Sequence, residues 1–246
     1  MFSLKGKTVL ITGANRGIGE GFVRAFAEQG AKKIYVCARD LSNLDELVNT
    51  FGNILQPLHL VLEDYSTIDS VVSKVDELDV LINNAGIISM TTCSSPDALE
   101  LLESEMRVNL YGPVKLTNAL MPTLKQSQEA AIINVSSIAG MANFPSIGTY
   151  SMTKAAMNSY SQGLRADLLN TSVRVINVSP GPHDTRLAEG NPMDKPAPIN
   201  VASKTIKALE SGANHVFPDA FSEQMFQIFL DHPEHLEKTF IEAANA

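Results

Sequence analysis

At 246 residues and 44% hydrophobic content, the chain can bury one substantial core and is short for two large domains. Its 19 lysines and arginines stand against 27 acids, a net charge of -8, and the basic residues are scattered, which argues against a nucleic-acid or anionic-membrane surface. Cys37 and Cys93 are too few for a disulfide scaffold and sit in no C-x-x-C or Cys/His ligand spacing, so no metal is expected and a reducing cytoplasm fits.

In chain order, short apolar and β-branched runs predict strands at Thr8–Ile11, Ile34–Cys37, Leu58–Val61, Val80–Ile82, Ala131–Val135 and Val173–Val178, with helical patterns between them. The residues before the first run contain no apolar stretch long enough for a signal peptide or a membrane span, so export is not expected. Near-continuous apolar runs predict strands covered on both faces, which means a parallel sheet built from βαβ crossovers. The fold class read from this is α/β: a doubly wound parallel β-sheet in three layers, one domain over 1–246. A long helix is predicted from Asp97 to about Lys125, kinked or broken at Gly112-Pro113. Another runs from Tyr150 to about Asn170.

Directly after the first strand stands Thr12-Gly13-Ala14-Asn15-Arg16-Gly17-Ile18-Gly19, a glycine-rich turn into a helix. Glycines there let the backbone approach a diphosphate, and the helix offers unpaired N–H groups and the positive end of its dipole. The second strand ends at Cys37-Ala38-Arg39-Asp40. With Ala38 where an NAD site places an acid, Arg39 and Arg16 can reach a ribose 2'-phosphate, which favours NADP(H) over NAD(H). Asp40 as a ribose ligand one residue later is the alternative. Asp64, past the third strand, is expected either to bond an adenine amino group or to cap the next helix.

Tyr150 and Lys154 lie four residues apart on one helical face, where an ammonium can draw a phenol below its ordinary pKa of about 10. Such a spacing also arises on any amphipathic helix. Together with the glycine turn, Asn83-Asn84-Ala85-Gly86 after the fourth strand and Ser137, the pair makes residues 5 to about 190 resemble the short-chain dehydrogenase/reductase family, which folds as a Rossmann sheet.

The resemblance implies a catalytic set of Ser137, Tyr150, Lys154 and Asn109. Tyr150 would be general acid in reduction and base in oxidation, Ser137 would bond the same oxygen, and Lys154 would also bond the nicotinamide ribose. Asn109 would support a relay water. The cofactor would be held by Gly13, Asn15, Arg16, Gly17, Ile18, Gly19, Ala38, Arg39, Asp64, Asn83, Ala85 and Gly86, with Tyr150, Lys154, Pro180, Gly181, His183 and Thr185 at the nicotinamide end. Thr185 would take the carboxamide. His183 departs from the apolar residue expected and is read as shaping the turn with its backbone, with substrate contact as the other option.

Residues 186–200 match the family's substrate lid in position, and 220–246 form a helical extension whose aromatic face reads as core or subunit contact. The extension replaces the family's usual tail and sets the tetramer against a dimer; a homodimer or homotetramer is expected. His215, His232 and His235 have no ligand constellation. The reading is an NADPH-dependent carbonyl reductase or alcohol dehydrogenase for a small or medium apolar carbonyl or alcohol. The alternatives are an NAD-dependent alcohol dehydrogenase and a dinucleotide-binding regulator without turnover.

Overall fold

The structure, a computed structural model, describes residues 2–188 and 195–245. Six predicted strands form, as β1 (Thr8–Thr12), β2 (Lys33–Ala38), β3 (Leu55–His59), β4 (Val80–Asn83), β5 (Ala130–Val135) and β6 (Val173–Val178), joined by a two-residue β7 (His215–Val216). All pairs are parallel, in the order β3-β2-β1-β4-β5-β6-β7. The order reverses between β1 and β4, and such a switch point opens a crevice at the carboxyl ends of the strands.

Alternation along each strand feeds two cores. Val9, Ile11, Ile34, Val36, Ile82 and Ile133 face the layer of α1 (Gly17–Glu28), α2 (Asp45–Phe51) and α7 (Ile199–Ser211). Leu10, Tyr35, Leu81 and Ile132 face the opposite layer, which holds α3 (Tyr65–Val72), α4 (Ala98–Met106), α5 (Gly112–Leu124) and α6 (Gly148–Asp167). These central side chains are almost wholly excluded from solvent. Burying one of them is worth about 1.5–3 kcal/mol.

The long helix expected from Asp97 does not break. A π turn, Arg107–Tyr111, joins α4 to α5, and the Gly112 N–H reaches back five residues to the Arg107 carbonyl. Pro113 has no N–H, so the Asn109 carbonyl loses its ordinary i+4 donor, and the widened turn accommodates that loss.

A third, smaller cluster joins Ile138, Met225, Leu236 and Phe240 with Met141, Phe144, Phe217 and Phe226. It is built by α8 (Ala220–Asp231) and α9 (Pro233–Asn245), which pack on each other and against the turns after β5. The aromatic face read from the sequence therefore makes core within the chain. His215, His232 and His235 are exposed. Among the described residues no helix is long and apolar enough to cross a membrane, and no group of three metal-ligating side chains occurs.

Candidate active site

A cleft of about 850 Å³ opens over the switch point. Its floor is the glycine turn. Gly13 and Gly17 adopt positive φ (63° and 56°), and a Cβ on Gly19 would stand 2.0 Å from the Gly13 carbonyl oxygen, so only glycine lets α1 start this close to β1. No side chain caps the first turn of α1, which leaves its N–H groups free for an anion. Thr12 ties the neighbouring strand end in place: its hydroxyl accepts the Asn84 and Ala85 N–H groups at 2.9 and 3.0 Å and donates to the Ile82 carbonyl. Asn15, Arg16 and Ile18 line the cleft beside the turn, whereas Gly19 acts from behind it.

Asn83 and Asp64, both expected at the cofactor, do not line the cleft. Asn83 is buried facing inward, its amide donating to Asn134 Oδ1 at 2.8 Å and Thr117 Oγ1 at 3.0 Å. Asn84, its neighbour, lines the cleft and donates to the Thr12 and Gly13 carbonyls at 2.9 and 3.2 Å. Successive side chains at a strand end point to opposite faces, so the two asparagines divide into one structural and one cleft residue. Asp64 takes the other role expected of it: it caps α3 by accepting the Ser66 N–H at 3.0 Å and hydroxyl at 2.7 Å, while Leu62 and Glu63 line the cleft there.

Ala38 and Arg39 line the cleft at the end of β2 together with Arg16. Asp40 does not, because its carboxylate accepts the N–H and hydroxyl of Ser42 at 3.0 and 2.8 Å and caps the turn that follows β2. The acid is engaged, and the two arginines are the cationic side chains left facing that end among the described residues.

At the other end, Ser137, Tyr150 and Lys154 meet on one wall. The serine follows β5, the other two lie one turn apart on α6, and the Lys154 Nζ sits 5.4 Å from the centre of the Tyr150 ring. Burial raises the Tyr150 phenol above its ordinary value, a hydrogen bond with Ser137 pulls it back, and the Glu105 charge adds to the rise. Burial pushes the Lys154 ammonium down to about 8, with Glu105 opposing. The expectation that Lys154 holds the phenol low is thus not met by the chain alone. The ammonium is turned to the Val135 carbonyl, 2.9 Å away, and desolvation outweighs the remaining attraction.

Asn109 does not line the cleft. Its amide is fully used: Oδ1 accepts the Ile87 N–H at 2.8 Å, and Nδ2 donates to the Ile87 carbonyl at 2.9 Å and to Thr153 at 3.0 Å. Its backbone carbonyl lacks an i+4 amide donor, because Pro113 stands at that position. Ala85 and Gly86 do line the cleft, and Gly86 sits between Asn109 and Lys154: a Cβ there would be 3.2 Å from Asn109 Oδ1 and 3.6 Å from Lys154 Nζ.

Beyond β6, Pro180, Gly181, His183 and Thr185 close over the same end. Thr185 lies across the glycine turn, 3.0 Å from where a Gly17 Cβ would be. The His183 ring is sealed from solvent, with Nδ1 3.1 Å from the Gly181 carbonyl and 3.9 Å from Asp219. Of the lid read at 186–200, residues 189–194 lie outside the described residues; Leu187 and Ala188 border the cleft. Sequence reasoning missed the wall opposite, where Phe221 from α8 and Phe240, Ala243 and Ala244 from α9 line the cleft beside Phe144. The Phe144 and Phe240 rings stand 5.3 Å apart.

A doubly wound parallel sheet with a glycine turn at its switch point defines the class: an α/β protein built around a nucleotide cleft. The chain belongs to the short-chain dehydrogenase family, whose model matches residues 7–195, and is an oxidoreductase of that family. It is 31% identical to an uncharacterized oxidoreductase of Staphylococcus saprophyticus over 222 residues, 85% of this chain and 94% of that one. A short chain dehydrogenase from Burkholderia cenocepacia, solved in complex with NADP, superposes with a TM-score of 0.90 at 31% identity, covering 97% of this chain and 99% of that one. A 3-ketoacyl-(acyl-carrier-protein) reductase from Brucella melitensis, complexed with NADH, gives 0.77 at 27%, covering 87% and 97%.

Proposed function

We propose that the protein is an NADPH-dependent oxidoreductase that interconverts a carbonyl and an alcohol, with Tyr150 as general acid in reduction and general base in oxidation. One observation carries the reading: Ser137, Tyr150 and Lys154 line the same cleft as the glycine turn. The residues suit a nicotinamide dinucleotide, since Gly13 and Gly17 line the cleft with bare backbone and Gly19 lets the uncapped N-terminus of α1 start close to β1. When bound, the cofactor supplies or accepts the hydride.

As negative charge grows on the substrate oxygen, the Tyr150 phenol delivers a proton and Ser137 a hydrogen bond. Burial that keeps the phenol protonated at neutral pH suits the reductive direction. Lys154, beside it, stabilises the phenolate left behind, and the Asn109 carbonyl, whose i+4 position is Pro113, is the proposed acceptor for a relay water. Thr185 and the Pro180-Gly181 turn hold the carboxamide end.

NADP(H) is favoured over NAD(H) because Arg16 and Arg39 face the adenosine end while Asp40 is engaged at Ser42. The Burkholderia relative's NADP agrees with this preference, and the Brucella relative's NADH marks the alternative. The far end of the cleft, between Ile88, Phe144, Phe221 and Phe240, carries no charged side chain among the described residues. A neutral, apolar ketone, aldehyde or secondary alcohol fits it, because a charged group buried there would lack a partner.

The test is a panel of carbonyl compounds followed by NADPH absorbance, with Tyr150→Phe alongside. Turnover is expected in the native chain and lost in the variant, with NADPH binding retained. Substantial activity in Tyr150→Phe would overturn the assignment of the acid.

A further inference from the structure

Glu105 is a completely buried carboxylate that the reaction outlined above does not use. It lies on α4, four residues before Asn109, and the two side chains grip one stretch of chain. Asn109 bonds both backbone groups of Ile87, and Glu105 Oε1 accepts the Ser89 N–H at 2.5 Å. That stretch is a wall of the cleft, through Gly86, Ile87 and Ile88.

The clamp alone does not need a charge. A glutamine would offer Ser89 the same acceptor, and a buried ionised group is costly unless an opposite charge answers it. Glu105 Oε2 is moreover sealed from solvent and has no hydrogen-bond partner. The helix packed against α4 is α6, which carries the buried Lys154. The groups around that ammonium are few. Tyr150 shares its helix, β5 offers only the Val135 carbonyl, and the π turn offers the neutral Asn109. Glu105 is the one charged residue found to act on both Lys154 and Tyr150.

We propose that Glu105 is a positioning residue for the reaction, whose carboxylate clamps the Ile87–Ser89 wall and keeps the desolvated Lys154 side chain charged beside Tyr150. The inference rests on the reductase reading for its effect on turnover, and, for its effect on Lys154, on the burial of both groups in the packed α4 and α6 and on the unpartnered Oε2. The electrostatics agree in direction: burial lowers the Lys154 ammonium and the Glu105 charge opposes that fall.

The decisive variant is Glu105→Gln, which keeps an acceptor for Ser89 and removes the charge. Two readouts are taken on the full-length protein: the titration of Lys154 by NMR of isotope-labelled lysine, assigned with Lys154→Met, and the pH profile of kcat/KM with NADPH and a ketone. In Glu105→Gln both the Lys154 titration and the alkaline limb should move down by about one pH unit, the size expected when a near counter-charge is removed. Glu105→Asp, which retains the charge, should stay close to the native titration. An unshifted Lys154 titration in a folded Glu105→Gln, or a loss of kcat/KM equal at every pH, would overturn the proposal and leave Glu105 a structural acceptor. If Glu105→Gln does not fold, Glu105→Met, which also removes the charge and fills the buried site with an apolar side chain, decides: a lowered Lys154 titration supports the proposal and a native one overturns it. Should the native chain reduce no carbonyl, the reductase reading fails, while the NMR titration still judges Glu105.

Discussion

The Asp219 carboxylate accepts the Gly181 N–H at 2.9 Å while capping α8 through the Ser222 N–H and hydroxyl, both at 2.8 Å. One buried acid thus fastens the C-terminal helices to the turn that borders the cleft after β6, and Gly181 is needed there because a Cβ would stand 2.7 Å from Asp219 Oδ1. Asp219→Ala removes the cap and orphans a buried N–H, so a loss on the order of 2 kcal/mol is expected. Chemical denaturation measures that loss. NADPH should bind more weakly in the variant that still folds, since its closing turn is no longer tethered; unchanged stability and affinity would refute the tether.

Cofactor choice turns on Arg39 and Ala38. Removing a charge-assisted bond to a 2'-phosphate costs about 1.5–3 kcal/mol, so Arg39→Ala should weaken NADPH roughly tenfold or more and leave NADH nearly unaffected. Ala38→Asp should shift preference toward NADH, by offering the ribose an acid and the phosphate a repulsion. Fluorescence titration of each variant with both dinucleotides gives the ratio. Equal losses for the two cofactors would remove the arginine from that role.

How much of this was legible depended on what each residue's neighbours contribute. The β6 run Val173–Val178 was read with its observed bounds because four β-branched residues, Val173, Val175, Ile176 and Val178, span it from end to end, with Arg174 and Asn177 as its polar interruptions. At β3 the apolar run Leu58–Val61 misled, since the strand is Leu55–His59; it lies at the sheet edge, where Gln56, Pro57 and His59 are tolerated facing solvent. Tyr150 and Lys154 were found by their spacing, and Ser137 by the family resemblance. The state of their protons was not, because it follows from burial and from Glu105, more than forty positions away in sequence and adjacent only after folding. Helical periodicity in α9 announced an apolar face without saying that it borders the cleft.

Lys154 gives a pH prediction for the cofactor-free chain. Its folded value is lowered from 10.5 to about 8 by burial, so between those limits the unfolded chain binds more protons than the folded one. Stability from this group therefore rises with pH from about 8 toward 10.5, by on the order of 2 kcal/mol at pH 10, and is flat below 8. Tyr150, raised in the fold, acts the other way only once pH passes 10. The stability difference between the native chain and Lys154→Met, from urea unfolding at pH 7 and at pH 9.5, should move in favour of the native chain at the higher pH. A constant difference would mean that the ammonium is not desolvated.

Substrate size should be set from the C-terminal side. Ala243 and Ala244 are exposed residues of α9 at the edge of the cleft, beside the buried Phe240 that packs on Phe144. Enlarging an exposed alanine on a helix hardly disturbs folding, because leucine is nearly as good a helix former and displaces no packed neighbour. Ala243→Leu or Ala244→Leu should therefore leave the melting temperature and NADPH affinity unchanged and narrow the space left for the substrate. A clash of that kind typically costs about 1–3 kcal/mol, so kcat/KM should fall roughly tenfold for a ketone with a bulky or aromatic substituent and hardly at all for a small one. Steady-state kinetics over a series of ketones of rising size checks this. If the losses do not depend on substrate size, α9 is not the wall that the substrate meets.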